Sequence, residues 1–538
     1  MVYLVIILIF SFLGMGALFH PGLFTAHDIT HQVVRLYYYS QAVNDGQLPP
    51  YWTNQLANGF GYPLFLFSYH LPWLIGVPLL KLGFSIPNAI KTLFFLSYFF
   101  SGITMYFFVN NLLKNKLSAL LSSIIYLWLP YHFLIILVGA SMGISFIFVF
   151  LPLIFLGIHQ IGKKSKLGET ILALGISGVI LSHIMHAVFL LPSILFFLIW
   201  ELTIIRQKFQ FLKNTIFGLI LGILISSFYL VPATYYKQFT RAQQEGGFYE
   251  LYKRNFINFG QLIYAKWGYG PIINNAKNGE SSFQLGFGQW IATITLIVLI
   301  VLRKIKKIDR TLSLFLLGAF VFNIFLMLDF SKFVWDTIIK LVVVDYPFRL
   351  LLPATFIASV CAGIILVNIR GNLRILVFIF FTLVAIYTNR NHINANQYTN
   401  LSISSYLDLE TEKTTNTFHE YLPLRTNPKL LDKPWNEILG NNLSASNLRQ
   451  TTNLLYFDLE VFKETTVSIG QFYFPGQTLY LDNKITNFDV DKEGRITLVI
   501  PTGNHSLAIK YQETPLIRFS KYLTLASIVW LFMKKVRF

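Results

Sequence analysis

Apolar runs of about 20 residues recur along this chain of 538 residues, and they restrict its fold more than any other feature. A run of that length crosses a bilayer core as one helix. Inside hydrocarbon, only a helix or a closed barrel can satisfy its own backbone. Hydrophobic residues make up 54% of the chain, and the mean hydropathy is +0.56. The expected fold class is an α-helical polytopic membrane protein. Spans are expected over 1–19, 89–111, 117–138, 143–160, 169–185, 187–204, 212–233, 289–302, 311–328, 349–369, 372–388 and 518–533, about 12 in all. The first run, Val2 to Leu18, lacks a basic start and a clear small-residue cleavage site. It reads as a retained span and not as a signal peptide.

Lys and Arg number 43 against 25 Asp and Glu, a formal charge of +18. The excess does not point to nucleic acid, because six clusters of it flank apolar spans. They are Lys114/Lys116, Lys163/Lys164/Lys166, Arg206/Lys208/Lys213, Arg303 to Arg310, Arg370/Arg374 and Lys534/Lys535/Arg537. Such clusters orient spans, with the basic side cytoplasmic. All six fall on that side if segment 62–83 lies at the membrane surface without crossing. Pro63, Pro72 and Pro78 argue for that reading, since each would cost a spanning helix. The segment is therefore expected as a kinked interfacial helix. The expected location is the cytoplasmic membrane, multi-pass, with both termini cytoplasmic. Loops 20–88 and 234–288 and segment 389–517 then face outward. The sole cysteine, Cys361, sits in an apolar run, so no intramolecular disulfide forms.

Three regions follow: a transmembrane domain over 1–388, an extracytoplasmic domain over 389–517, and a C-terminal span with a basic tail over 518–538. The second half of the middle region alternates as strands do, in NLLYFDLEV, TTVSIGQFYF, QTLYLDN, RITLVIP and HSLAIKYQ. Pro475-Gly476, Asp482-Asn483, Glu493-Gly494 and Gly503-Asn504 mark the turns between them. A small antiparallel β-domain is expected there. The chain shows no internal repeat.

Several outer residues carry chemistry. Thr25 or Asp28, on either side of His27, can start a helix that runs to Val43, and Asp28, His31 and Arg35 then share one face. Asp28 reads equally as a helix cap or as a catalytic carboxylate. Arg349, in VVVDYPFRLLLPA, sits where the chain re-enters the membrane. It either snorkels to headgroups or binds a lipid phosphate through its planar fork. His183 and His186 occupy a short outer turn without a local carboxylate, which favours hydrogen bonding over a metal. Loop 234–288 interleaves basic residues such as Lys266 with Tyr264, Trp267 and Tyr269. That pattern suits a membrane-interface belt and, less strongly, sugar rings. Glu420 is a further outer carboxylate, just ahead of the strands.

Together these pieces resemble a GT-C-type glycosyltransferase. More specifically, they are similar to the prokaryotic membrane family labelled "6-pyruvoyl-tetrahydropterin synthase-related", a label that implies no pterin chemistry here. The matching stretches are HDITHQVVRLYYYSQAVNDGQLPPYW, GFGYPLFLFSYHLP, DYPFRLLLPA, HEYLP and PTGNHSLAIKY, in that order. The resemblance implies inverting transfer of a sugar from a polyprenyl-phosphate-type donor to a hydroxyl of a glycan, lipid or protein acceptor, at the outer face of the cell envelope. Asp28 would be the base. Arg349 and Arg35 would contact the phosphate, and His31 would orient Asp28 or touch substrate. His27, His183, His186 and Glu420 complete the candidate binding set. A divalent cation, Mg or Mn, stays open, with no strong ligand set behind it. One departure stands out: the family leads us to expect an acidic residue near Gly143, but 139–145 reads Gly-Ala-Ser-Met-Gly-Ile-Ser. Glu420 and Glu245 are the carboxylates that can stand in. Two other functions compete: a lipid or polysaccharide transporter or flippase, and a catalytically silent scaffold for envelope assembly. The first lacks the repeats and mid-membrane charges typical of transporters. The missing acid keeps the second in play.

Overall fold

The computed structural model describes residues 1–243, 251–272, 280–340, 342, 344–411, 414–416, 419–433 and 435–536. Glu245 and Arg537 lie outside the described residues. The chain divides into two compact units. One comprises Met1–Ile29, Pro87–Ile225 and Phe248–Asn400; the other comprises Thr30–Ile86, Ser226–Gly247 and Leu401–Phe538.

The first unit is helical. Among the described residues, seven helices are long and apolar enough to cross a membrane: Ile86–Leu113, Met142–Gly162, His186–Ile204, Lys208–Ile225, Lys307–Met327, Pro347–Asn368 and Asn372–Asn389. The pair Lys116–Leu127 and Pro130–Val138, bent by 48°, makes an eighth if it is counted as one broken span. The expected count of about 12 is therefore not reached, and the reasons are local. Val2–Gly14 has 13 residues, which at about 1.5 Å per residue falls short of a ~30 Å core. Gly168–His183 and Phe287–Val301 are also short, at 16 and 15 residues. The run expected over 212–233 breaks at Ser226 into Lys208–Ile225 and Ser227–Tyr236. The Pro515–Val536 helix carries Arg518 and Lys521 near its start and is not among the seven.

The break at 128–129 has a sequence cause. Asn115 caps the Lys116–Leu127 helix by accepting from the Ser118 amide. Pro130 opens the next turn, where a missing N–H costs nothing. The most enclosed of these spans, Pro347–Asn368, carries small residues at Ala354, Ala358, Ser359, Ala362 and Gly363, which let neighbours approach closely. A two-stranded antiparallel ladder, β1 (Leu23–Phe24) with β2 (Tyr398–Thr399), joins the two ends of this unit.

In the second unit, segment 62–83 is broken in two. Leu64–Phe67 and Leu71–Lys81 form short helices, with Pro72 in the first turn of the second and Pro78 inside it. The Ile29–Asn44 helix, from Thr30 on, belongs here, as does a set of nine strands. The larger strands are β4 (Leu443–Gln450), β5 (Leu454–Val461), β6 (Thr465–Phe472), β7 (Gln477–Leu481), β10 (Arg495–Ile500) and β11 (Gly503–Tyr511). Short strands β3 (Ile438–Leu439), β8 (Lys484–Ile485) and β9 (Asp489–Val490) complete the set. They form two antiparallel sheets, in the orders β3-β6-β10-β9 and β4-β5-β11-β7-β8. Inward side chains from both, including Phe457, Leu459, Val467, Ile496, Leu507 and Ile509, make one core. This is a sandwich, held without disulfides by apolar burial worth about 1.5–3 kcal/mol per large side chain. Asp482 and Asn483 sit in the left-handed region at the β7–β8 turn, as such a tight turn demands.

Candidate functional site

In the first unit, the site begins where a helix ends badly. Leu134–Val138 winds as a π-helix, a local form often found at functional positions. Its end leaves carbonyls without helical partners. The Val138 carbonyl accepts from the His27 amide at 2.9 Å, and the Gly139 carbonyl accepts from the Asp28 amide at 3.0 Å. These two bonds pin the Asp28 backbone. The chain then turns through Ala140, whose φ of 48° lies in the left-handed region and costs strain. That turn brings the Ser141 hydroxyl to 3.5 Å from Asp28 Oδ2, at the outer limit of a hydrogen bond. Asp28 stays partly exposed, and His27 is exposed with its Nε2 against the Tyr269 carbonyl at 3.1 Å. In the stretch where an acidic residue was expected, Ser141 therefore supplies a hydroxyl beside Asp28.

The helix expected from Thr25 or Asp28 begins at Ile29, and the Thr25 amide instead donates to the Gln397 carbonyl. His31 and Arg35 lie on that helix, one turn apart. The Arg35 guanidinium is occupied. It donates to the Thr415 hydroxyl at 3.1 Å, the Thr415 carbonyl at 2.6 Å and Asn416 Oδ1 at 3.0 Å, all within the second unit. Its charge also lies 5.9 Å from the Tyr69 ring. Glu420, in the same unit, is buried beside Tyr62 and Tyr421. Burial first, and the Glu420 charge second, push both phenols up.

Arg349 does not snorkel. Only 8% of it is exposed, and Nη2 pairs with Asp345 Oδ2 at 2.8 Å. Burial raises the Asp345 carboxyl above its ordinary range, and the Arg349 charge opposes that shift without cancelling it. Sequence reasoning missed Asp345, although DYPFR holds the pair at i, i+4. Arg349 Nη1 has no hydrogen-bond partner among the described residues, nor do the Tyr131 hydroxyl and His186 Nε2. His186 Nδ1 lies 3.2 Å from His183 Nδ1, so one ring donates to the other. No three His, Cys, Asp or Glu side chains gather in metal-binding geometry among the described residues.

A further buried pair was also missed. His159 Nδ1 lies 2.6 Å from Glu201 Oε1, tying Met142–Gly162 to His186–Ile204. Sequence alone shows two polar residues 42 apart, with no periodicity to join them.

No family model matches the chain, so none stands behind the pterin-synthase-related resemblance. An uncharacterized protein of Lactococcus lactis subsp. cremoris (strain MG1363) is 26% identical over 243 residues, covering 43% of this chain and 39% of that protein. The match thus spans about two-fifths of that relative's length. Among solved structures, the Archaeoglobus fulgidus oligosaccharyltransferase in its apo form is similar over 74% of this chain and 56% of its own, with 10% identity and a TM-score of 0.39. The same protein, tethered by a disulfide to an acceptor peptide containing the NVT sequon, is similar over 74% and 55%, with 12% identity and a TM-score of 0.39. Scores at that level do not establish a shared fold.

Proposed function

We propose that this chain is a membrane glycosyltransferase that moves a sugar from a polyprenyl-phosphate-type donor to an acceptor hydroxyl at the extracytoplasmic face. The observation that carries the reading is Asp28, a carboxylate whose main chain is pinned at the end of a π-helix while its side chain stays open to substrate. A general base needs that combination of fixed position and access. In the proposed step, the acceptor oxygen forms a bond to the anomeric carbon as its proton passes to Asp28. The bond from that carbon to the phosphate oxygen breaks, and the lipid phosphate leaves with the electron pair. One direct displacement inverts the configuration. Phosphate is a good leaving group, so a second carboxyl acting as acid is not required, unlike in most glycosidases. Ser141 orients Asp28, and Arg349 Nη1 meets the developing phosphate charge.

The test is transfer from a panel of polyprenyl-phosphate sugars by purified protein in lipid, with and without Mg or Mn. Wild type and Asp28→Asn are compared after both give the same thermal melt. Transfer by wild type, reduced at least 100-fold in Asp28→Asn, is expected. Equal rates in the two proteins would remove Asp28 from the chemistry.

A further inference from the structure

A cavity of about 750 Å³ opens in the first unit between segment 263–267 and the C-terminal end of the Asn372–Asn389 helix. Its size lies within the range of small-molecule sites and exceeds what one phosphate group fills. Lys266 and Arg390 line it, and no carboxylate does among the described residues. Its local charge is therefore positive. His392, in the wall, adds nothing to that charge: burial pushes its imidazole down to about 4, so the ring is neutral at physiological pH. The neutral ring is held in place. Asn389 Nδ2 donates to the Trp128 and Ala385 carbonyls, so Asn389 Oδ1 accepts from His392 Nδ1 at 2.8 Å. Trp267 stacks on His392 with ring centroids 4.2 Å apart. The buried indole N–H of Trp267 has no hydrogen-bond partner among the described residues.

The surroundings say what matches that positive charge. The cavity adjoins the ends of two apolar helices, Phe287–Val301 and Asn372–Asn389, which pack on one another. Both keep large apolar side chains on their outer faces: Ile294, Val298 and Val301 on one, Leu376, Phe380 and Leu383 on the other. Tyr264 and Tyr387, at the cavity rim, are 73% and 66% exposed, as interfacial aromatics are. The Arg390 guanidinium lies 4.0 Å from the Tyr387 ring, which fixes a cation at that rim. A headgroup-sized, cationic cavity therefore sits at the head of a lipid-facing pair of helices.

We infer that this cavity binds the phosphate of an anionic membrane lipid, with the headgroup between Lys266 and Arg390 and the chains along the two helices. The inference does not depend on glycosyl transfer and is read by binding alone. The test uses full-length protein in detergent, stripped of lipid and titrated with phosphatidylglycerol or phosphatidylcholine, with retained lipid counted by native mass spectrometry. Wild type should hold phosphatidylglycerol over phosphatidylcholine. The double variant Lys266→Gln/Arg390→Gln should lose roughly 30-fold of that preference, since each of the two cations near a membrane surface contributes on the order of 1 kcal/mol. Lys304→Gln, at the far end of Phe287–Val301, should keep the wild-type preference. Equal retention of both lipids by wild type, or an unchanged preference in a double variant that melts like wild type, would overturn the assignment. Soluble glycerol phosphate should compete only weakly. Competition equal to that of phosphatidylglycerol would overturn the lipid part and leave a site for free phosphate esters.

Discussion

His70 shows how one residue ties burial to acid sensitivity. It is fully buried against Tyr39, Tyr51, Phe228 and Tyr229, and the Tyr39 hydroxyl lies 3.0 Å from its Nδ1. Burial pushes its pKa from 6.5 down to about 3. Between those values the unfolded chain binds a proton that the folded state refuses. The stability that His70 contributes is therefore intact above ~6.5 and is lost as pH falls toward ~3, at up to about 1.4 kcal/mol per pH unit. The apparent melting temperature should fall through that window, and His70→Gln should flatten the decline. An unchanged slope in the variant would place the acid sensitivity elsewhere. Residue-level chemistry was only partly legible in the chain. The Arg349 partner was missed although it lies only four residues back, because Asp345 precedes the helical turn and no helix period joins the two. The approach of Ser141 to Asp28 could not be read either, since 113 residues separate them and a π turn with a left-handed alanine creates the contact.

At the scale of elements, the hairpin of Met142–Gly162 and Gly168–His183 depends on glycines that have no substitute. A Cβ on Gly157 would run into the Leu172 backbone, and one on Gly178 into the Phe150 ring. Backbone cannot step aside as a flexible side chain can. Gly157→Val should lower stability by about 1–3 kcal/mol, read as an earlier thermal melt, whereas Gly16→Ala, with open space around it, should melt like wild type. Equal melts for the two variants would mean that the hairpin opens more easily than its packing implies. The elements with a strong period were legible. The strands expected from NLLYFDLEV, TTVSIGQFYF, RITLVIP and HSLAIKYQ match β5, β6, β10 and β11 to within two residues at nearly every end. The strand β4, LSASNLRQ, was not seen, because it lies at a sheet edge with both faces largely exposed and has no alternation to read. Hydropathy found the apolar runs but not their interruptions, at Gly14–Gly16, Trp128–Pro130 and Ser226, where backbone geometry and not polarity ends a helix.

For the whole molecule, the distribution of basic clusters carries a prediction of sidedness. Cys361 is buried, so single engineered cysteines can be labelled against a silent background. Lys163→Cys should react with a membrane-impermeant maleimide only after the membrane is opened, and Tyr264→Cys should react in intact cells. Both positions are exposed. Labelling of both from the same side would break the alternation of basic loops on which the proposed outer placement of the active face rests. The two units are also interleaved along the chain, each assembled from three separate segments. In the second unit, Asp45 accepts from the Thr452 amide and hydroxyl across 407 residues, and Trp52 stacks between Phe474 and Tyr511. At a synthesis rate of about 5–20 residues per second, the partners of Asp45 and Trp52 emerge roughly 20–80 s after they do. For that interval the first loop exists as a half-built surface, with its aromatic side chains uncovered. The birth of this protein is thus a matter of waiting: the residues of its first loop must be kept from wrong partners until nearly the last of the chain arrives.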